Sequence, residues 1–288
     1  MSSSLSPSAS ITTATGLPLA GPSPNTSTCE NRRSVTQQTL ARPGSVFLVL
    51  GLPSQISVLL FDLDGVLTTT ATLHTAAWTD AFDAFLVARA AGGIATDGED
   101  LSPFTEQDYL DYVDGRPRID GVRSFLTARG IVVDDDAVAQ IAQSKNDAFT
   151  ATLRRDGVDP YPGSVRYLDA ARAAGLRIAV VTSSKNGAMV LQAAGLADYP
   201  EHRVDGNTIV AERLNGKPAP DSYLRGAELM GVQPEHAAVF EDAISGVRAG
   251  AAGRFGYVVG IDRVGGRQAE AMRAAGADVV VSDLDELL

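Results

Sequence analysis

Three observations predict an α/β fold: a doubly wound parallel sheet, covered by helices on both faces, with an α-helical segment inserted after the first strand. From residue 160 onward, short unbroken apolar runs alternate with helical stretches, the pattern of parallel strands buried on both faces. A run of the same kind, "ISVLLF", lies far upstream at residues 56–61. The residues between carry apolar side chains at three- and four-residue spacing and contain no strand-like run.

The elements follow in order. Residues 1–44 are dense in Ser, Thr and Pro without periodicity, so they bury too little apolar surface to offset ordering entropy, and a disordered tail is expected. The segment lacks the basic start and apolar core of a signal peptide. Its Ser-rich, acid-poor make-up leaves a transit peptide open, though arginine is sparse, and a start of translation further in is a second alternative. Residues 45–61 are apolar but interrupted by Gly51, Pro53, Ser54 and Gln55, which argues against a membrane span. The core is expected over 45–72 and 157–288, with an all-helical insert, a domain of its own, over 73–156. In the insert, "HTAAWTDAFDAFLVARAA", "EQDYLDYVDG", "DGVRSFLTARG" and "DDAVAQIAQSKNDAFTATLRRDG" read as helices. Beyond it come a helix in "PYPGSVRYLDAARAAG", a strand in "LRIAVVTSS" and a helix in "KNGAMVLQAAG". A helix holding Tyr223 and Leu224 follows. Strands in "HAAVFED", "FGYVVGID" and "DVVVSDL" then alternate with helices in "AISGVRAGAAG" and "GRQAEAMRAAG".

Composition narrows the function classes. The chain has 288 residues, is 44% hydrophobic and carries a formal net charge of -11. Such an acidic chain is a poor general binder of nucleic acid or anionic membranes. The single cysteine, Cys29, excludes an intrachain disulfide, and a count of three histidines argues against a His-rich zinc site. A reducing compartment, the cytoplasm, is consistent with this cysteine usage.

Ligands of open α/β sheets sit beyond the carboxyl ends of the strands. Strand one runs into Asp62 and Asp64, "AVVTSS" into Thr182 and Ser183, and "AVFED" into Glu241 and Asp242; the loop "NGKPAPD" supplies Lys217. Asp62, Glu241 and Asp242 would repel one another if unpaired. A divalent cation resolves that, and all-oxygen ligands favour Mg²⁺ over zinc. Thr182 offers a hydroxyl ahead of a helix start, where exposed N–H groups suit phosphate, and Lys217 offers a point charge. A carboxylate nucleophile, a cation, a hydroxyl and a lysine make a phosphoryl-transfer site. Asp62 would attack phosphorus, and Asp64 would serve as general acid and then base.

The motifs "FDLDGVL", "VVTSSKNG", "GKPAPD" and "VFEDAISG" resemble, in order and spacing, those of the haloacid dehalogenase superfamily, and the similarity covers residues 56–288. "TATLHTAAW", "GRPRIDG", "SKNDAF", "PYPG" and "SSKNG" most resemble its β-phosphoglucomutase-like family. That resemblance implies Asp62 as nucleophile and Asp64 as acid/base. It implies Mg²⁺ held by Asp62, the main-chain carbonyl of Asp64, Glu241 and Asp242. Thr182, Ser183 and Lys217 would bind the transferring phosphoryl group. Arg118, Lys145, Ser184 and Asn186 would bind the distal phosphate, Lys185 would join the substrate- and phosphate-binding set, and His74 would couple closure of the cap to Asp64. Thr69 departs from the family, which often has Asp there. The implied ligands are a small sugar phosphate and glucose 1,6-bisphosphate as primer, with no nucleic acid or membrane partner and a monomeric state. The alternatives are a sugar-phosphate hydrolase with the same core, a dehalogenase, which has no need of an acid/base at Asp64, and a non-catalytic binding protein, which the presence of Asp62, Asp64 and Lys217 disfavours.

Overall fold

Strand β1, Val58–Phe61, is buried at all four residues. In the computed structural model of the chain, which describes residues 50–288, β1 lies inside a six-stranded sheet of order β3-β2-β1-β4-β5-β6. The other strands are β2 (Arg177–Val181), β3 (His202–Val204), β4 (Ala237–Glu241), β5 (Tyr257–Ile261) and β6 (Val279–Val281), and every pairing is parallel. Phe61 is in register with Val180 on one side and Phe240 on the other.

Alternation along the strands explains their unbroken apolar character. Leu59 and Phe61 face one core with Val180, Phe240 and Tyr167, while Val58 and Leu60 face a second with Val181, Val239 and Tyr223. Full burial of each such side chain contributes about 1.5–3 kcal/mol. Helices α5 (Pro162–Ala173) and α6 (Gly187–Ala193) cover the first face. Helices α8 (Asp221–Leu229), α9 (Ile244–Ala252) and α10 (Gln268–Ala275) cover the second.

Between β1 and α5 lie α1 (Thr70–Ala91), α2 (Glu106–Asp108), α3 (Arg118–Ala128) and α4 (Asp135–Asp156). They enclose their own apolar cluster around Trp78, Phe82, Phe125 and Ile141, with Phe82 and Phe125 ring centroids 4.2 Å apart. Ala77 of α1 with Phe149 and Leu153 of α4 belong instead to the first sheet-side core, which roots the insert on the sheet. Among the described residues, no helix is long and apolar enough to cross a membrane.

The structure differs from the sequence reading in detail. "EQDYLDYV" is one turn of α-helix followed by a π-helical turn, Tyr109–Val113. Strand β3 and α7 (Gly206–Glu212) were not anticipated, because three residues on a sheet edge carry too little apolar pattern. The expected disordered tail and Cys29 lie outside the described residues.

Candidate active site

The strand order reverses at β1, which β2 flanks on one side and β4 on the other. Such a switch point opens a crevice beyond the carboxyl ends, and Asp62 and Asp242 stand on its two sides. The turn after Asp64 is close-packed: Gly65 has φ +83°, and a Cβ there would overlap the Asp242 carboxylate. Any side chain at residue 65 would push apart the two strand ends that carry the acids.

Asp62 is held at both oxygens. The Asp64 N–H donates to Oδ2 at 3.0 Å, and Lys217 Nζ donates to Oδ1 at 2.5 Å. Lys217 also donates to Glu241 Oε1 at 2.5 Å and to the Val181 carbonyl at 3.3 Å. Glu241 is fully buried; it accepts further hydrogen bonds from Tyr223 OH at 2.7 Å and from Ala243 N–H at 3.2 Å. Asp62, Asp64 and Asp242 therefore line the cavity, whereas Lys217 and Glu241 stand one layer behind it. Asp62, Glu241 and Asp242 each bring one carboxylate oxygen within 4.8 Å of the others. Burial, set against the pull of Lys217 and reinforced by Glu241 and Asp64, pushes Asp62 up to about 8. Burial and then Asp114 push Asp242 well above the usual carboxylate range. Converging acids so strained, offset among the described residues by Lys217, are a fitting set for a hard divalent cation.

Asp64 is arranged differently. Thr70 Oγ1 donates to its Oδ1 at 2.5 Å, Thr182 Oγ1 donates to Oδ2 at 3.3 Å, and His74 Nε2 lies 3.2 Å from Oδ1. Burial opposes ionisation, but His74, Thr70 and Lys145 together hold Asp64 down at about 2. His74 stacks on Phe149 with centroids 4.2 Å apart, and its Nδ1 bonds Lys145 Nζ. A chain of contacts thus runs from α4 to Asp64.

The far wall is cationic. Arg118, Lys145 and Lys185 line it with Ser183, Ser184 and Asn186. Arg118 donates to the Ala142 carbonyl at 3.2 Å, and Asn186 Nδ2 donates to Asn146 Oδ1 at 3.0 Å. Thr69 bonds the Asp159 carbonyl through its hydroxyl at 3.1 Å and its N–H at 3.0 Å, tying together the two ends of the insert.

Several residues on or behind the wall were not singled out as site residues from sequence: Thr70, Asp114, Gly115 and Tyr109. The Asp114–Gly115 turn is pinned to the core because Ser245 Oγ donates to the Asp114 carbonyl at 3.0 Å and Ser183 Oγ donates to the Gly115 carbonyl at 2.9 Å. Gly115 has φ +70°, and a Cβ would overlap Ser245. The one available signal was "DGRPR", whose glycine marks a turn.

Lys145 gives a stability prediction. Burial first, and Arg118 second, lower it from 10.5 to about 7. Between those values the unfolded chain binds a proton that the folded chain lacks, so the Lys145 contribution makes stability rise with pH across that window. The full penalty, ~5 kcal/mol at most for a shift of this size, applies below it. Lys145→Met is expected to be more stable than wild type at pH 7, with the difference shrinking by pH 10. Urea denaturation of both proteins at the two pH values checks this; a pH-independent difference would refute it.

The family model for haloacid dehalogenase-like hydrolases matches residues 56–254. The chain belongs to the haloacid dehalogenase superfamily. Within that superfamily it is 53% identical over 251 residues to a β-phosphoglucomutase of Mycobacterium tuberculosis, covering 83% of this chain and 94% of that one. It is 29% identical to hexitol phosphatase A of Escherichia coli, covering 79% of this chain and 91% of the relative. The crystal structure of a β-phosphoglucomutase from Clostridium difficile superposes with a TM-score of 0.63 at 23% identity, covering 81% of this chain and 93% of that one, and supports the fold. This haloacid dehalogenase superfamily member is of the β-phosphoglucomutase-like kind and is a phosphoryl-transfer enzyme.

Proposed function

We propose that the chain is a β-phosphoglucomutase, interconverting β-D-glucose 1-phosphate and glucose 6-phosphate through an aspartyl-phosphate and glucose 1,6-bisphosphate. The observation that carries this reading is a lining with two sets of phosphate-binding groups. Thr182 and Ser183, with Lys217 behind Asp62, supply one, and Arg118, Lys145 and Lys185 supply a second. A monophosphate hydrolase needs one phosphate site; a bisphosphate that turns end for end needs two. The 53% identical relative supports the same choice.

In this reading Asp62, fixed by Lys217 and the Asp64 N–H, attacks the phosphorus of the bound ester. Thr182 and Ser183 orient the phosphoryl oxygens. Asp62, Asp242, Glu241 and the Asp64 carbonyl would hold Mg²⁺, which would supply charge neutralisation at the transferring group. Asp64 exchanges a proton with the sugar oxygen. As it stands, Asp64 is set up as a base, because His74 and Lys145 favour its ionised form. A substrate phosphate on Lys145 would draw that positive charge away and raise Asp64 toward the range where it can act as an acid. The helical insert, residues 73–156, acts as a cap: it brings the Asp114–Gly115 turn against the core and excludes water from the aspartyl-phosphate.

The test is product identity. Incubation with β-glucose 1-phosphate, Mg²⁺ and a trace of glucose 1,6-bisphosphate is expected to yield mainly glucose 6-phosphate. Mainly inorganic phosphate would mean a sugar-phosphate hydrolase; the 29% identical relative is named a hexitol phosphatase. Removal of divalent cations with excess chelator is expected to abolish turnover, and added Mg²⁺ to restore it; full activity in chelator would remove the cation from the mechanism.

A further inference from the structure

The catalytic cavity encloses only about 70 Å³. Beside it, on the seam between insert and core, is a larger one of about 450 Å³. The two share Arg118, Ser183 and Lys185 as walls. By volume, the neighbouring cavity passes the ~300 Å³ at which pockets begin to enclose whole small molecules. We propose that this neighbouring cavity is a second sugar subsite, which receives the distal ring of a phosphorylated disaccharide while its phosphate lies at Asp62. The proposal rests on the reading of Asp62 as the nucleophile toward sugar phosphates.

The lining selects a carbohydrate over other classes. One side is aliphatic, with Ile119 and Ala142 from the insert facing Ile209, Val210 and Leu214 from the core. Val210 is 61% exposed, an aliphatic surface at the rim with little internal packing. Such a surface suits the C–H face of a pyranose. The rest of the lining includes Asp120 and Arg213, neither of which makes an ion pair among the described residues. These groups can take sugar hydroxyls. Both are exposed at the mouth of the cavity, where they stay hydrated beside a polar ligand. None of the lining residues is aromatic, so a nucleobase would lack a stacking platform. Position agrees with chemistry. Arg118, Ser183 and Lys185 line both cavities, so a substituent on a sugar bound in the catalytic one meets the larger cavity across these residues.

The first step would be the same. The bond between phosphorus and the C1 oxygen breaks as the bond from phosphorus to an Asp62 oxygen forms, and the departing C1 oxygen takes a proton from solvent relayed through Asp64. With the distal ring held between insert and core, the insert does not close over the aspartyl-phosphate; water attacks phosphorus, the bond to Asp62 breaks, and the water's proton leaves through Asp64, giving the disaccharide and inorganic phosphate.

The probes are cellobiose β-1-phosphate and β-glucose 1-phosphate, compared on the full chain with Mg²⁺. Cellobiose is expected to be released with kcat/KM within about tenfold of glucose-phosphate turnover. Val210→Trp, at the exposed rim, should lower kcat/KM for the disaccharide by about tenfold or more and leave the monosaccharide within about twofold. Ala139→Trp, which fills the cavity from the insert side, should do the same, so that poor folding of one variant cannot decide the matter. Binding of cellobiose phosphate to Asp62→Asn, followed by calorimetry, should weaken in parallel. Turnover of β-glucose 1-phosphate with no turnover or binding of the disaccharide would overturn the subsite and leave the active-site reading intact. Equal loss on both substrates in both tryptophan variants would also overturn it. Failure with both sugar phosphates would remove the active-site reading and the subsite with it.

Discussion

Asp62→Asn is expected to reduce turnover of β-glucose 1-phosphate by about 10⁴- to 10⁶-fold, the range seen when a covalent nucleophile is removed. The stability of the same variant separates loss of chemistry from loss of structure. Asp62 is pushed up to about 8 by burial and by Glu241 and Asp64. From its ordinary value of 3.8 to about 8, the folded chain holds a proton that the unfolded chain has released, so the Asp62 contribution to stability falls as pH rises through that window. Asparagine removes this decline and still accepts a hydrogen bond from Lys217. At pH 7.5, Asp62→Asn should therefore melt no lower than wild type. Retained turnover would move the nucleophile elsewhere, and a sharp fall in melting temperature would mean that the Asp62–Lys217 pair holds the fold.

Lys217→Met is expected to have the largest effect on stability. Lys217 is fully buried and lies 2.5 Å from both Asp62 and Glu241. Its ammonium is held well above its ordinary range: burial acts against the charge, but the two carboxylates outweigh it. Methionine fills the space and leaves two buried acids facing each other. Breaking a buried pair in this way costs about 3–5 kcal/mol, on the order of a 10 °C drop in melting temperature for a domain of this size. The double variant Lys217→Met, Glu241→Gln should recover a large part of the loss, because the two residues share one network. Calorimetry on the single and double variants, without divalent cation, checks both points. A drop of less than about 2 °C in the single variant would show that the triad is not a unit.

The two variants also show what was legible in advance. The apolar runs "SVLLF", "IAVV" and "AAVFE" could only be strands covered on both faces, so the sheet, its parallel sense and the convergence of Asp62, Thr182 and Glu241 at one edge followed from pattern. Strand β3 did not, because His202, Arg203 and Val204 read as loop without a neighbour to pair with; β2 supplies it.

Local pattern supplies the inventory: which carboxylates, which lysine, which hydroxyl, and the strand ends that carry them. A strand places its last residue at the sheet edge whatever surrounds it, so local pattern suffices there. The tertiary structure alone decided depth and partnership. Lys217 lies 155 positions from Asp62 and 24 from Glu241, and no local periodicity encodes that its ammonium stands behind the cavity wall. Glu241 and Asp242 are neighbours in sequence, yet one is enclosed by Lys217, Tyr223 and a main-chain N–H while the other lines the cavity. Adjacent residues at the end of a strand point to opposite faces, and only the packing of helices on the two sides decides which face is core and which is cleft.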